Sequence, residues 1–169
     1  VVNPFTSQRN FNYREWDINN YKVIAEYVKD SFDIDMVVVG GKSNYEIEMS
    51  KNLCCTTFIK NLVGKTNLQD LYNLIKKSEF YLGPDSGTLH IASMIGKKII
   101  GLYATSNPYR TGPYKNMNYT INKYPDAVKL YKKRNIDNLK WGERVRHKRA
   151  MSLIKIEDVR EKVDEILRF

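Results

Sequence analysis

Tyr81-Leu82-Gly83-Pro84-Asp85-Ser86-Gly87-Thr88-Leu89-His90-Ile91-Ala92 is the stretch from which the rest of the chain can be read. A short apolar strand, Phe80-Tyr81-Leu82, runs into a tight turn, and a helix begins near Ser86 and continues over residues 89–95. The first amides of such a helix have no intrahelical acceptor. Together with the helix dipole they favour a phosphate above them. Gly87 carries no Cβ, so a ligand can approach the backbone there. Asp85 is placed either to cap the helix or to accept hydroxyl hydrogen bonds from a sugar, and His90 follows just over one turn later. The plainest alternative is that Asp85 and Ser86 are a helix cap and Gly87 a turn, since such caps are common in ordinary helices. A Ser86–His90 nucleophile pair is disfavoured: no G-x-S-x-G elbow occurs, and a triad is made by geometry rather than by nearness in sequence.

Outward from this block, short apolar runs alternate with amphipathic stretches. Met36-Val37-Val38-Val39 is a β-branched run ended by Gly40-Gly41, which predicts a buried parallel strand. Before it, Ile18, Tyr21, Ile24, Ala25 and Val28 predict a helix with one core-facing stripe, capped by Asp17. Thr66-Asn67 caps a further helix with Leu68, Leu71, Tyr72, Leu74 and Ile75 inward. Residues 98–103 form another strand, residues 104–116 a loop rich in Pro, Gly, Ser and Thr, and residues 121–150 are the least regular part. Ile156, Val159, Val163, Ile166 and Leu167 predict a final helix over residues 155–169.

This order predicts an α/β domain whose parallel sheet is covered by helices on both faces. Ligands in such sheets sit at the carboxyl ends of the strands. The loops at Gly40-Gly41, residues 63–66, residues 83–87 and residues 104–108 are therefore expected to form the site. The 169 residues suffice for one domain and open as if inside a strand, at Val1-Val2-Asn3-Pro4, which suggests a piece of something longer.

The formal charge is +9. Nucleic acid, an anionic membrane surface and phosphorylated substrates all remain open as partners on charge alone. Much of the excess lies late, including Lys129, Lys132, Lys133, Arg134, Arg144, Arg146 and Arg149, with no zinc-finger spacing and no aromatic RNP-like run beside it. No apolar run approaches the ~18 residues of a membrane span, and no secretory signal stands in the sequence. Cys54 and Cys55 are adjacent, a spacing unsuited to a comfortable disulfide or a zinc site, and are expected to be buried small hydrophobes in a reducing compartment.

Three blocks then stand in succession: Asn61-Leu62-Val63-Gly64-Lys65-Thr66-Asn67-Leu68; Gly83-Pro84-Asp85-Ser86-Gly87-Thr88-Leu89-His90-Ile91-Ala92 with Gly96; and Gly101-Leu102-Tyr103-Ala104-Thr105-Ser106-Asn107-Pro108 with Arg110-Thr111-Gly112-Pro113-Tyr114. They resemble the C-terminal half of the ADP-heptose:lipopolysaccharide heptosyltransferases, a GT-B glycosyltransferase family, over nearly the whole chain, residues 121–150 matching least well. The resemblance implies two Rossmann-like domains facing each other across a cleft. The C-terminal one, residues 1–169 here, holds the nucleotide-sugar; the N-terminal one, outside this sequence, holds the acceptor and the catalytic base.

The resemblance assigns donor binding to Asp85, Ser86, Gly87, Thr88 and His90, the D-S/T-G block and its histidine, with the role of His90 left open. Glu46 is placed to hold ribose hydroxyls with a bidentate carboxylate, its alternative being a solvent-exposed helix residue. Thr6 and Ser7 match the small hydroxyl residues of the first loop. Arg14 stands where the family has a lysine and Asp17 where it has a proline; a guanidinium can still neutralise a pyrophosphate, with different geometry. Thr66 lies where the family packs the base. No cofactor or metal is implied, the ADP-sugar being a substrate, and no catalytic residue falls within this sequence.

Transfer would invert the anomeric carbon without a metal, with the charge of the departing nucleoside diphosphate met by helix amides and Arg14. The implied partners are the nucleotide-sugar and a lipid-linked glycan of the lipopolysaccharide core or a related surface glycan. The implied location is the cytoplasm, peripheral on the cytoplasmic face of the inner membrane, where the late basic residues would meet anionic lipid. The final helix is expected to dock on the absent domain and to leave its apolar stripe partly exposed here. Two alternatives stay open: a glycosyltransferase with another nucleotide-sugar, since fold does not fix the sugar, and a basic α/β module that binds nucleic acid, although no nucleic acid is expected on the favoured reading.

Overall fold

The computed structural model describes residues 1–7, 12–114 and 116–168. Its strands are β1 (Met36–Val38), β2 (Ile59–Asn61), β3 (Tyr81–Pro84), β4 (Ile99–Tyr103) and β5 (Ile121–Asn122), and every pairing among them is parallel. Val2 bridges Val38 of β1 on one side and Leu82 of β3 on the other, which joins the two halves into a continuous sheet. With the segment at Val2 counted as a first strand, the spatial order is that of a doubly wound fold, 3-2-1-4-5-6. The chain reverses direction across the sheet between the Val2 segment and β3, so a ligand crevice is expected above those two ends.

Seven helices accompany the sheet among the described residues: α1 (Ile18–Phe32), α2 (Asn44–Leu53), α3 (Leu68–Lys77), α4 (Gly87–Ile95), α5 (Pro108–Thr111), α6 (Tyr124–Lys132) and α7 (Ile156–Leu167). Successive strand residues point to opposite faces, and the buried core divides accordingly. Tyr81, Ile99 and Tyr103 pack with Ile75 of α3 and with Leu89 and Ala92 of α4. Leu82, Ile100 and Leu102 join the larger cluster on the other face, with Ile24 and Val28 of α1, Ala127 of α6, and Val159 and Val163 of α7. Each fully buried aliphatic side chain contributes about 1.5–3 kcal/mol, against ~1 kcal/mol or less for an exposed ion pair. Apolar burial on two faces therefore holds the fold.

Local signals set the helix starts. Asp17 accepts from the Asn19 amide at 2.9 Å and opens α1 as expected. Ser43 and Glu46 close a capping box at α2, as Asn67 and Asp70 do at α3. Trp16 donates its indole N–H to Ile154 O at 2.9 Å and ties the approach to α1 to the approach to α7.

Four expectations need correction. Leu68 and Tyr72 of α3 are exposed, and Ile75 alone of the expected stripe is fully buried. Leu68 shares the azimuth of Ile75 but lies in the first turn of α3, where it stays exposed. Residues 104–116 are not loop throughout: Asn107 caps α5 and Pro108 fills its first position. Cys55 is exposed and Cys54 half-buried, both free thiols: they follow α2 in the turn leading to β2, where Cys54 packs against the core and Cys55 faces solvent. The centre of the α7 stripe is covered within this chain, Val159, Val163 and Ile166 being buried against α1 and the sheet, while Ile156 and Leu167 are half-buried. Phe169, which the sequence places at the end of that helix, lies outside the described residues.

Candidate functional site

A cavity of about 570 Å³ opens where the strand order reverses. Three strand ends supply its walls. Asn3, Phe5, Thr6 and Ser7 follow the Val2 segment, Gly41, Ser43 and Glu46 follow β1, and Asp85, Ser86, Gly87, Thr88 and His90 follow β3; Arg14 reaches in from the approach to α1. All the donor-binding candidates except Thr66 therefore converge on one cavity. Thr66 stays outside its lining, although the turn before it abuts the site, the Gly64 amide donating to Gly40 O at 3.2 Å.

β3 and α4 set the floor. Ser86, not Asp85, caps α4, its hydroxyl accepting from the Leu89 amide at 3.4 Å. The amides of Gly87 and Thr88 open the helix with no intrahelical acceptor and line the cavity. A Cβ built on Gly87 would meet nothing within 4 Å, so packing within the fold does not require glycine there. At Gly83 the same test brings a Cβ to 2.6 Å from Asn3 O and 2.8 Å from the Tyr81 hydroxyl, which makes Gly83 a packing residue.

Asp85 is 5% exposed. Its Oδ2 accepts from the hydroxyls of Ser106 at 3.0 Å and Thr111 at 3.1 Å. Arg14 donates to the Asp85 carbonyl at 2.8 Å and approaches Oδ2 at 3.6 Å, while Nε donates to Asn12 Oδ1 at 2.7 Å. His90 Nε2 lies 3.7 Å from Asp85 Oδ1, with a half-exposed ring turned to the cavity. Burial, and then the Asp85 carboxylate, push the neighbouring Tyr103 hydroxyl well above its ordinary pKa, so it remains a neutral donor and bonds Thr111 O at 3.0 Å.

On the opposite wall Thr6 is largely consumed internally. Its amide and hydroxyl both donate to Glu15 Oε1, at 2.7 and 3.1 Å, and its hydroxyl accepts from Asn12 at 2.8 Å. Tyr45 donates to Glu15 Oε2 at 2.7 Å, and burial with that bond raises its pKa to about 12. Ser7 is exposed; its carbonyl accepts from the Asn12 side-chain amide at 2.5 Å, and its hydroxyl meets Arg14 at a long 3.5 Å. Glu46 is half-buried: it completes the α2 capping box, accepting also from Gly41 N at 3.0 Å and Ser43 Oγ at 2.6 Å, and it lines the cavity. Among the described residues no group of three or more His, Cys, Asp or Glu side chains is arranged to hold a metal.

Sequence reasoning missed Asn3, Asn12, Glu15 and Thr111, and reached Ser106 only as part of the 104–108 loop. Asn3 donates to the Thr88 hydroxyl at 2.8 Å across the crevice. These residues join the site through tertiary contacts, and only the Ser106-Asn107-Pro108 turn carried a local signal, a cap followed by proline.

Residues 1–140 match the family described as glycosyltransferase family 9 (heptosyltransferase). The chain belongs to that family. It is 30% identical over 161 residues to a lipopolysaccharide core heptosyltransferase of Haemophilus influenzae, covering 94% of this chain and 45% of the relative. The chain thus spans about half the length of that family-9 relative. Among solved structures, ADP-heptose lipopolysaccharide heptosyltransferase II of Escherichia coli superposes with a TM-score of 0.72 at 20% identity, over 99% of this chain and 45% of that one. The Escherichia coli heptosyltransferase solved with ADP gives 0.69 at 15%, over 97% and 43%. These likenesses establish a GT-B heptosyltransferase half-fold. Among the described residues no helix is long and apolar enough to cross a membrane.

Proposed function

We propose that this chain is the donor-binding half of a lipopolysaccharide heptosyltransferase, and that the cavity at the strand reversal holds an ADP-activated heptose. The observation that supports this most directly is the pairing of the open α4 amides with Arg14 over a Gly87 that the fold itself does not require. Backbone N–H groups and a guanidinium converge where a diphosphate would lie, and the glycine gives it access. Ser7 and Thr88 border the same anion, His90 and Asp85 Oδ1 face the sugar, and Glu46 faces the ribose.

As the anomeric bond breaks, negative charge grows on the departing ADP. The α4 amides and Arg14 are fixed before reaction and lower the energy of that charge without reorganising. In this scheme the chain uses no metal. The acceptor, a lipid-linked core glycan, is deprotonated by a carboxylate of the other half and attacks with inversion. Late basic residues meet the anionic inner leaflet where that acceptor lies.

Calorimetric titration with ADP, UDP and GDP tests the reading, with Arg14→Gln as the variant and thermal melting as the check on folding. ADP is expected to bind in preference to the others and to weaken at least tenfold in the variant. Preference for UDP or GDP removes the adenine assignment, and no binding by any of the three overturns the proposal.

A further inference from the structure

A second cavity, of about 680 Å³, is built from the late basic segment, and none of the donor-binding residues lines it. α5 reaches both cavities. The Thr111 hydroxyl bonds Asp85 at the first, and Arg110, one residue earlier, lines the second. Residues 143–147 lie outside helix and strand, and Val145 anchors them, its side chain buried and its amide bonded to Thr105 O at 2.9 Å. The exposed residues Arg144 and Arg146, on either side of buried Val145, both line the cavity. Gly142 leaves room for a third guanidinium: a Cβ there would stand 3.3 Å from Arg110 Cζ.

The one carboxylate in the wall, Glu143, is already committed. It bonds Lys132 at 2.6 Å and Arg134 at 3.4 Å, and the Lys132 bond, the largest cause, holds its pKa below the usual value. The guanidinium groups of Arg110, Arg144 and Arg146 have no hydrogen-bond or ion-pair partner among the described residues. Tyr131 and His147, stacked at 3.9 Å and 18°, form a flat aromatic side to the same cavity. Three uncommitted arginines suit a phosphate monoester, with about two negative charges and three acceptor oxygens, better than a single carboxylate. An aromatic wall suits the C–H face of a sugar ring. The volume falls in the usual range of roughly 300–1,000 Å³ for small-ligand pockets, whereas a nucleic-acid strand calls for a basic stripe or groove that tracks its backbone.

We infer that this cavity binds a phosphate-bearing saccharide, the chemistry of a phosphorylated unit of the acceptor glycan. The acceptor role rests on the donor reading above; the binding chemistry does not.

The test is titration of the chain with mannose 6-phosphate, mannose, inorganic phosphate and a thymidine decanucleotide, repeated on the double variant Arg144→Ala/Arg146→Ala, two exposed side chains. Mannose 6-phosphate is expected to bind, to lose at least tenfold in the variant, and to exceed both mannose and inorganic phosphate. ADP affinity, measured alongside, is expected to be the same in both proteins. Equal mannose 6-phosphate affinity in the two proteins overturns the site. Inorganic phosphate binding as tightly as the phosphosugar overturns the saccharide part, and tighter, variant-sensitive decanucleotide binding shows a polyanion surface instead. Loss of ADP binding with phosphosugar binding intact would strike the donor reading and sever the acceptor link.

Discussion

Gly87→Ala separates a glycine kept for the fold from one kept for a ligand. Gly87 is the first residue of α4, its φ is not left-handed, and an added Cβ meets no atom within 4 Å. Alanine is the better helix former by up to about 1 kcal/mol in a helix interior and by less at a first position. The variant should therefore melt at the same temperature as the parent or slightly above it. The new methyl projects into the cavity where the α4 amides would meet a diphosphate. Displacing a phosphate oxygen from one such amide forfeits a charge-assisted hydrogen bond worth about 1.5–3 kcal/mol, which is roughly ten- to hundredfold in the dissociation constant for ADP. Gly87→Val should cost more, since its methyls reach further. The assay is calorimetric titration with ADP beside a thermal melt. Unchanged ADP affinity in both variants, with melting preserved, would refute the placement of the diphosphate over α4.

Gly83→Ala should behave in the opposite way: its Cβ meets the Asn3 carbonyl at 2.6 Å, and overpacking of this kind costs about 1–3 kcal/mol, visible as a lower melting temperature. Val163→Ala empties a fully buried position under α1 and should cost roughly 1.5–3 kcal/mol in chemical denaturation; a cost near zero would contradict the packing of α7 on this chain. Glu143 sits below its ordinary pKa of 4.5 because Lys132 bonds it. Its contribution to stability is present above the unfolded-state pKa and is lost as pH falls through the lower folded value. Glu143→Gln should therefore show a shallower fall in melting temperature below about pH 4.5 than the parent, and parallel falls would discount the Lys132 bond.

The strand-ending glycines, the β-branched run at Met36-Val37-Val38-Val39 and the cap at Ser86 are local signals, which is why the alternating architecture and the position of the cavity could be read from sequence. Leu68 and Tyr72 show where such signals stop. Helical spacing gives an azimuth but not how far along the helix the covered surface extends, so a residue on the expected face can stay exposed. Cys55 fails for a related reason: residue type gives an average burial, whereas the turn between α2 and β2 leaves Cys55 facing solvent. Glu15 carried no motif, and the block that holds Thr111 gave no sign of its contact with Asp85. Their places depend on Thr6 and Asp85 folding against them from far along the chain or across a loop, information that one-dimensional pattern does not hold.

Within the proposed site the polar groups divide by what is left unspent. Thr6 gives both its donors to Glu15, so the expected hydroxyl contact to the donor falls more naturally to Ser7, with Thr6 holding the loop in place. Asp85 is the sharper case, because a buried carboxylate beside a diphosphate would repel it. Its Oδ2 is occupied by Ser106 and Thr111, and it anchors Arg14 both through its carbonyl and through charge. Oδ1, 3.7 Å from His90, is the oxygen that remains, and an acceptor-only oxygen can serve a sugar hydroxyl but not a phosphate. The sugar therefore belongs on the Asp85–His90 side, and the diphosphate on the side of Arg14 and the Gly87 amide. Thr111 holds α5 to the same carboxylate, so the residue that orients the donor also positions Arg110 at the second cavity. Asp85→Asn, which keeps one acceptor oxygen, replaces the other with an NH2 donor and removes the charge holding Arg14, should accordingly disturb binding at both cavities, whereas the exposed pair Arg144 and Arg146 should affect only one.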